Sequence, residues 1–323
     1  MSGNSDYQKK DETAAPVISV VIVHWNTEPE LTDCLASLMA AGFPAMEIII
    51  IDNNSDNIDE FAGRPLPSSV RLVRNAGNRG FAPAVNQGLN EARGRYVLLL
   101  NPDIQVRGNA LQRMVDFLET NGRAAVTGKL CGPDGSFQRY NPSIPTTFAI
   151  FARFTLLEPF LRESRQVKNY LMLDMDPSRE QFVEQAPGAC LMVGRDVLDE
   201  LGGMDERYPL FFNDVDLSLR LTRSGVRITF LPETEFLHQS QVSLKKMPKA
   251  TMRAEMNVSA VRFVKEYYGG LKAIMLKAAL FADMVVRFSV NTLRFFIGKK
   301  GRKELSAAFS GLLRFLYGRS LFD

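Results

Sequence analysis

Two acidic clusters and one histidine hold the side chains best placed to do chemistry. Asn101-Pro102-Asp103 follows the apolar run Tyr96 to Leu100. A carboxylate there can hold a divalent cation, and a cation that also carries a diphosphate needs only one or two protein carboxylates, since phosphate oxygens and water complete its shell. A turn capping a helix from Asn109 explains the same residues equally well. In the second cluster, Phe211 to Arg220, Asp214 falls at the start of an expected helix, with Val215 and Leu219, then Leu217 and Leu221, spaced for burial. The two aromatic residues before it would form an apolar wall that raises a carboxylate's proton affinity, as a general base requires. The plainer uses are an N-cap for Asp214 and an i to i+4 pair with Arg220 for Asp216. His24 and His238 are the only histidines. His24 fits a hydrogen-bonded structural role, while His238, in a polar context, can reach a metal or a diphosphate.

These residues need a frame. From Val17 the chain alternates apolar runs (VISVVIV, EIIII, VRLV, YVLLL) with helical patterns at Leu31 to Ala41 and Ala82 to Ala92. Apolar strands separated by helices predict a mostly parallel sheet covered on both faces, which binds ligands at the carboxyl ends of its strands. Each run ends in polar residues: His24, Trp25 and Asn26, then Asp52, Asn53 and Ser55, then the stretch holding Asn78 and Gly80, then Asn101 to Asp103. Residues 141–187 lose this periodicity and read as an insertion over one edge of the sheet. A strand is expected to resume over Ala186 to Val193.

The net charge of +3 conceals an asymmetry, because the stretch from Lys265 onward carries eleven Lys or Arg residues against Glu266, Asp283, Glu304 and Asp323. That points to an anionic partner for this region. Within 271–297, Lys272, Asp283, Arg287 and Arg294 fall on roughly one sixth of a helix circumference, leaving a wide apolar face. Such a helix is a poor membrane span and a good interfacial one, with a homodimer or intramolecular interface as the other use of the face. Aliphatic residues outnumber stacking aromatics there, against a nucleic-acid partner. Three cysteines without CxxC spacing give no disulfide framework or thiolate metal site. The polar residues 1–16 read as a disordered leader without a signal core, and a cytoplasmic location is expected.

The ordered set VISVVIVHWN, EIIIIDNNS, GNRGFAPAVNQG, YVLLLNPD, APGACLMV, LGGMDERYPLFFNDVDLSLR and His238 resembles the family 2 inverting glycosyltransferases of the GT-A fold, most of all their rhamnosyltransferase-like branch. The resemblance implies a GT-A domain over 17–268, Rossmann-like, followed by an amphipathic helical region over 269–323. It implies nucleotide-sugar contacts from Asp52, Asn53, Ser55, Asn78, Gly80, Phe81 and Asn101, with Trp25 and Asn26 at the same sheet edge. It implies a divalent metal, magnesium or manganese, on Asp103 with help from His238, and Asp214 as the base, with Asp216 orienting the acceptor or bracing the base. The implied donor is dTDP-rhamnose or a UDP-sugar, and the acceptor a glycan or polyprenyl-linked saccharide at the inner leaflet. Two positions depart from the pattern: Asn101 replaces the first acid of the DxD-type motif, and Asn213 stands where a glutamate is usual. Asparagine cannot take a proton, so a catalytically impaired nucleotide-sugar-binding scaffold is the rival from another class. A dinucleotide oxidoreductase is disfavoured, since no GxGxxG follows the first strand. Because the motifs end before Gly269, residues 271–323 are expected to be dispensable for donor binding.

Overall fold

The computed structural model describes residues 15–56, 58–63, 65–140, 142–239, 246–298 and 301–323; most of the expected leader and part of the basic turn after Gly298 lie outside them. Among the described residues nine strands form one sheet: β1 (Ile18–His24), β2 (Met46–Asp52), β3 (Val70–Arg74), β4 (Tyr96–Leu100), β5 (Ile104–Val106), β6 (Ala124–Cys131), β7 (Gln181–Val183), β8 (Cys190–Gly194) and β9 (Arg227–His238). The spatial order is β3-β2-β1-β4-β8-β6-β9-β5, with β7 also paired to β9. The first four strands are mutually parallel, joined by α1 (Glu28–Ala40), α2 (Ile58–Ala62) and α3 (Phe81–Glu91). The second half departs from the expected parallel pattern, because β8 runs antiparallel to both β4 and β6 and β5 runs antiparallel to β9. The strand expected from Ala186 begins only at Cys190, since Gly188 and Ala189 form a turn.

Burial follows the apolar runs. Ile18, Val20 and Ile22 of β1 pack with Ile48 and Ile50 of β2 and Leu31, Cys34 and Leu38 of α1 on one face, while Val21, Ile49 and Ile51 meet α3 on the other. Helix α3 sits hard against β1: a Cβ on Gly88 would lie 2.4 Å from Val21 Cγ1, so any larger residue would lift the helix off the sheet. Each buried Ile or Val contributes about 1.5–3 kcal/mol of hydrophobic free energy. In-register pairing sets His24 beside Asp52, so β1 and β2 end together.

The remaining helices are α4 (Ala110–Asn121), α5 (Thr147–Phe154), α6 (Glu158–Leu161), α7 (Arg165–Tyr170), α8 (Arg195–Leu201), α9 (Asn213–Arg223), α10 (Lys249–Tyr268), α11 (Gly270–Phe296) and α12 (Arg302–Tyr317). A third core joins them: Phe212 and Val215 near α9, Ile150 of α5, Val258 and Phe263 of α10, Leu276 and Leu280 of α11, and Phe315 of α12. The apolar face of α11 is therefore divided. Ala273, Leu276, Leu280 and Met284 pack inward, whereas Leu271, Ile274, Met275, Leu293 and Phe296 remain exposed. The expected polar stripe is divided too, because Asp283 is buried, where it accepts from Leu156 N at 2.6 Å and pairs with Arg287 at 2.6 Å. Among the described residues no helix is long and apolar enough to cross a membrane.

Candidate active site

The carboxyl ends of the strands border a cavity of about 400 Å³ lined by Trp25, Asn53, Asn78, Gly80, Phe81, Asn101, Asp103, Asp214 and His238. Nine of the residues singled out from sequence thus converge there. Asn26, Asp52, Ser55 and Asp216 do not line it.

At one end the β1 and β2 loops are tied together. Asp52 accepts from Ser55 N at 3.2 Å, and Ser55 Oγ accepts from Asn26 N at 2.8 Å. Asn26 and Asn54 take positive φ angles of 55° and 66°, a conformation asparagine tolerates better than most residues. Asn53 donates to Gly80 O at 2.8 Å and accepts from Asn75 Nδ2 at 3.1 Å, stapling the segment after β3 to the end of β2. Gly80 has φ 91°, and a Cβ there would meet Pro209 at 2.8 Å; the close approach places Pro209 O over Phe81 N. His24 is buried, with Nδ1 2.8 Å from Thr27 Oγ1. Burial depresses its pKa against the opposing pull of Glu28 and Asp52, and the Thr27 contact fits the hydrogen-bonded structural role expected of it.

At the centre, antiparallel pairing of β5 with β9 sets Ile104 opposite His238, which brings Asp103 beside a histidine remote in sequence. Asp103 Oδ2 and His238 Nε2 are 3.6 Å apart. The Gln138 side chain donates from Nε2 to His238 O at 3.1 Å, and its Oε1 lies 2.7 Å from His238 Nδ1. An amide oxygen can only accept, so Nδ1 carries a proton, and in the neutral ring Nε2 turns a lone pair toward the Asp103 carboxylate. Burial pulls the His238 pKa down, although Asp103 opposes this. A lone pair and a carboxylate oxygen facing each other beyond hydrogen-bonding distance fit a shared cation. No group of three or more His, Cys, Asp or Glu among the described residues could hold a metal alone, so a cation here would depend on ligand oxygens for the rest of its shell.

At the other end Phe212, at φ 66°, turns the chain into α9 and places Asp214 in its first turn. Burial raises the Asp214 pKa, offset in part by hydrogen bonds from Val215 N, Gln185 and Gly188. Phe211 and Phe212 do line the cavity beside it. Asn213 is 4 % exposed and shares the cavity lining. Asp216, fully buried, is engaged elsewhere: it accepts from Arg220 Nε at 2.7 Å and from the Tyr267 hydroxyl, while Arg220 also donates to Leu201 O and Gly203 O. Of the two uses expected for Asp216, this geometry favours bracing over contact with an acceptor.

Gln138, Tyr140, Met247 and Phe322 had no sequence signal and were missed, yet each touches His238 or the cavity. Phe322 brings residues 271–323, expected from the motifs to be dispensable for donor binding, into the cavity lining. Their loss would take away a cavity wall and expose the third core.

Comparison with known proteins agrees with this architecture. The model of Glycosyl transferase family 2 matches residues 19–180. The chain is 29 % identical over 284 residues, covering 84 % of it and 91 % of the relative, to the N-acetylglucosaminyl-diphospho-decaprenol L-rhamnosyltransferase of Mycobacterium tuberculosis. It is 28 % identical over 239 residues to the O-antigen biosynthesis protein RfbC of Myxococcus xanthus, covering 71 % of this chain and 18 % of that protein. Among solved structures, the mannosyltransferase PcManGT of Pyrobaculum calidifontis, in complex with GDP-Man and Mn2+, superposes with a TM-score of 0.52 at 15 % identity, covering 94 % of this chain and 88 % of that one. The structural likeness is one of fold, that of the GT-A glycosyltransferases.

Proposed function

Since the chain belongs to glycosyl transferase family 2, we propose that it transfers rhamnose from dTDP-rhamnose, with inversion, to a polyprenyl-diphosphate-linked saccharide during assembly of a cell-envelope glycan. The relative from Mycobacterium tuberculosis, whose name states a rhamnosyl transfer to a lipid-linked N-acetylglucosaminyl acceptor, supports that choice of substrates. A UDP-sugar is the alternative donor. The observation that carries the proposal is the convergence of Asp103, His238 and Asp214 on one cavity beside the Asn53 and Asn78 loops.

Trp25, Asn53, Asn78 and Gly80 bind the nucleotide, with Asp52, Ser55 and Asn26 holding their loops in place. Asp103 and His238 would hold a divalent cation, manganese or magnesium, which when bound would supply charge neutralisation for the departing diphosphate. Asp214 accepts the proton of the acceptor hydroxyl as oxygen attacks the anomeric carbon, and the nucleoside diphosphate leaves from the opposite side, which inverts the centre. Burial gives Asp214, which shares the cavity lining with Phe211 and Phe212, the raised proton affinity this step uses. Asn213 leaves Asp214 as the only carboxylate of the pair, and the rival scaffold reading rests on that substitution alone. The exposed apolar residues of α11, with Lys272, Arg287 and Arg294 alongside, support peripheral binding to an anionic inner leaflet.

The deciding experiment incubates the purified chain with dTDP-rhamnose and a short-chain N-acetylglucosaminyl-diphospho-prenol, with manganese or with EDTA. Rhamnosylated product with inverted anomeric configuration, formed only with metal, is the expected result. Donor binding without transfer or hydrolysis under every condition would favour the scaffold.

A further inference from the structure

Phe322 reaches the cavity from the C-terminal helical layer, and the route it takes is built. Helix α12 lies close against α10 where Gly311 faces Ala250 and Ala254; a Cβ on Gly311 would sit 3.2 Å from both Ala250 O and Ala254 Cβ. The helix then ends at Gly318, whose φ of 66° turns the chain sharply, with Arg319 N donating back to Arg314 O at 2.9 Å. That turn sends residues 319–323 back along α10 to Glu255. Glu255 is 2 % exposed, and both its oxygens are committed to this segment: Oε1 accepts from Ser320 Oγ at 2.7 Å and Oε2 from Leu321 N at 2.7 Å. The segment is further closed on itself by Ser320 N donating to Asp323 and Phe322 N donating to Ser320 Oγ. A buried carboxylate is costly unless hydrogen-bonded, so fixing this segment is the use the structure makes of Glu255. The result is a phenyl ring held at the cavity lining.

The side of the cavity follows from the layers. The nucleotide loops grow from β1, β2 and β3, whereas α10 and α12 share a helical core with Phe212 and Val215, near neighbours of Asp214 in the chain. Phe322 follows α12, so the helical layer delivers it to the same cavity as the proposed base, which must face the acceptor hydroxyl. Aromatic rings bury the apolar C–H faces of pyranosides while the sugar hydroxyls stay free for polar contacts, so a fixed phenyl wall there suits a saccharide.

We propose that Phe322 is an acceptor-binding residue, a wall on which the acceptor saccharide stacks, and that Glu255 is the positioning residue that holds it there. This rests on the transferase reading above. It also makes α10 and α12 part of the acceptor site, in addition to any role at a membrane surface.

Trp25 is the only tryptophan and lines the same cavity, so its fluorescence can follow occupancy by either substrate. The test titrates the full chain separately with dTDP-rhamnose plus manganese and with N-acetylglucosaminyl-diphospho-farnesol, then measures the acceptor KM. Phe322→Ala is expected to weaken acceptor binding and raise acceptor KM by roughly tenfold, the scale of one lost aromatic contact, with donor affinity held; Phe322→Trp should restore it. Glu255→Ala should reproduce the acceptor effect, and adding Phe322→Ala to it should cost nothing more, which a merely structural carboxylate would not produce. Should Glu255→Ala fail to fold, the Phe322 pair still decides. Unchanged acceptor affinity in Phe322→Ala, or a loss confined to the donor, overturns the assignment. Absence of donor binding in the unmodified chain would instead overturn the transferase reading, and the wall with it.

Discussion

The two ends of the cavity are built in different ways. The end proposed for the nucleotide is local: Trp25, Asn53 and Asn78 sit within a few residues of β1, β2 and β3, and parallel register aligns their strand ends. The end proposed for the acceptor draws on Phe211 and Phe322, delivered by different segments and not placed by strand register with each other. Between them lies Asp103 with His238, delivered by strand pairing but oriented by Gln138. The nucleotide end should therefore tolerate changes in the helical layer, and the acceptor end should not.

The most severe separation of the two ends is expected from Asp214→Asn, which keeps size and the hydrogen bond from Val215 N but removes the base. Turnover should fall by about 10²–10⁴-fold while nucleotide-sugar affinity, measured by calorimetry, stays within error. Near-normal turnover would remove Asp214 from the mechanism. Asp103→Ala attacks the middle: transfer should drop by about 10²–10³-fold, and manganese should no longer tighten donor binding. If manganese still tightens it, Asp103 is a turn residue only.

A smaller effect is expected from Gln138→Leu, which frees His238 to adopt the other tautomer. Manganese affinity, read by electron paramagnetic resonance titration with nucleotide present, should fall by about 10–100-fold, and ¹⁵N shifts of the imidazole should report the tautomer change. Gln138→Glu, which still accepts from Nδ1–H, should retain most of the affinity. An unaltered manganese titration in Gln138→Leu would leave the amide a packing role alone.

The least conspicuous outcome concerns stability. Burial raises the Asp214 pKa in the folded chain, so the folded state holds its proton more tightly than the unfolded state does. The stabilisation from that proton is complete below the ordinary carboxylate pKa of about 3.9 and is lost as pH rises through the higher folded value. At neutral pH, Asp214→Asn should thus raise Tm, by roughly 2–4 °C for each kcal/mol of relieved desolvation, and the gain should shrink toward acid pH. The same shift places the acid limb of the kcat/KM profile above the usual carboxylate range. A Tm difference independent of pH would contradict the burial of this carboxyl as an ionising group.

Much of this was legible before any coordinates. Apolar β-branched runs broken by helical patterns can only be buried as a covered sheet, so β1 to β4 and their polar strand ends followed from residue type and period. Asp103 stood out after the apolar run Tyr96 to Leu100, Asp214 after the Phe211-Phe212 pair, and His238 as one of only two histidines, in a polar context. What the sequence left open depends on contacts between distant segments. The mixed direction of the second half of the sheet came from β8 inserting between β4 and β6, which no local pattern encodes. The wide apolar face of α11 was visible, but only packing against α10 and α12 decided which part of it turned inward and that Asp283 was buried with it. Gln138 and Phe322 carry no local signal at all: an amide becomes a tautomer lock, and a phenyl ring a cavity wall, only through a partner a hundred residues away or a turn at the end of a helix. Periodicity reports what each segment must bury, and tertiary structure alone decides against what.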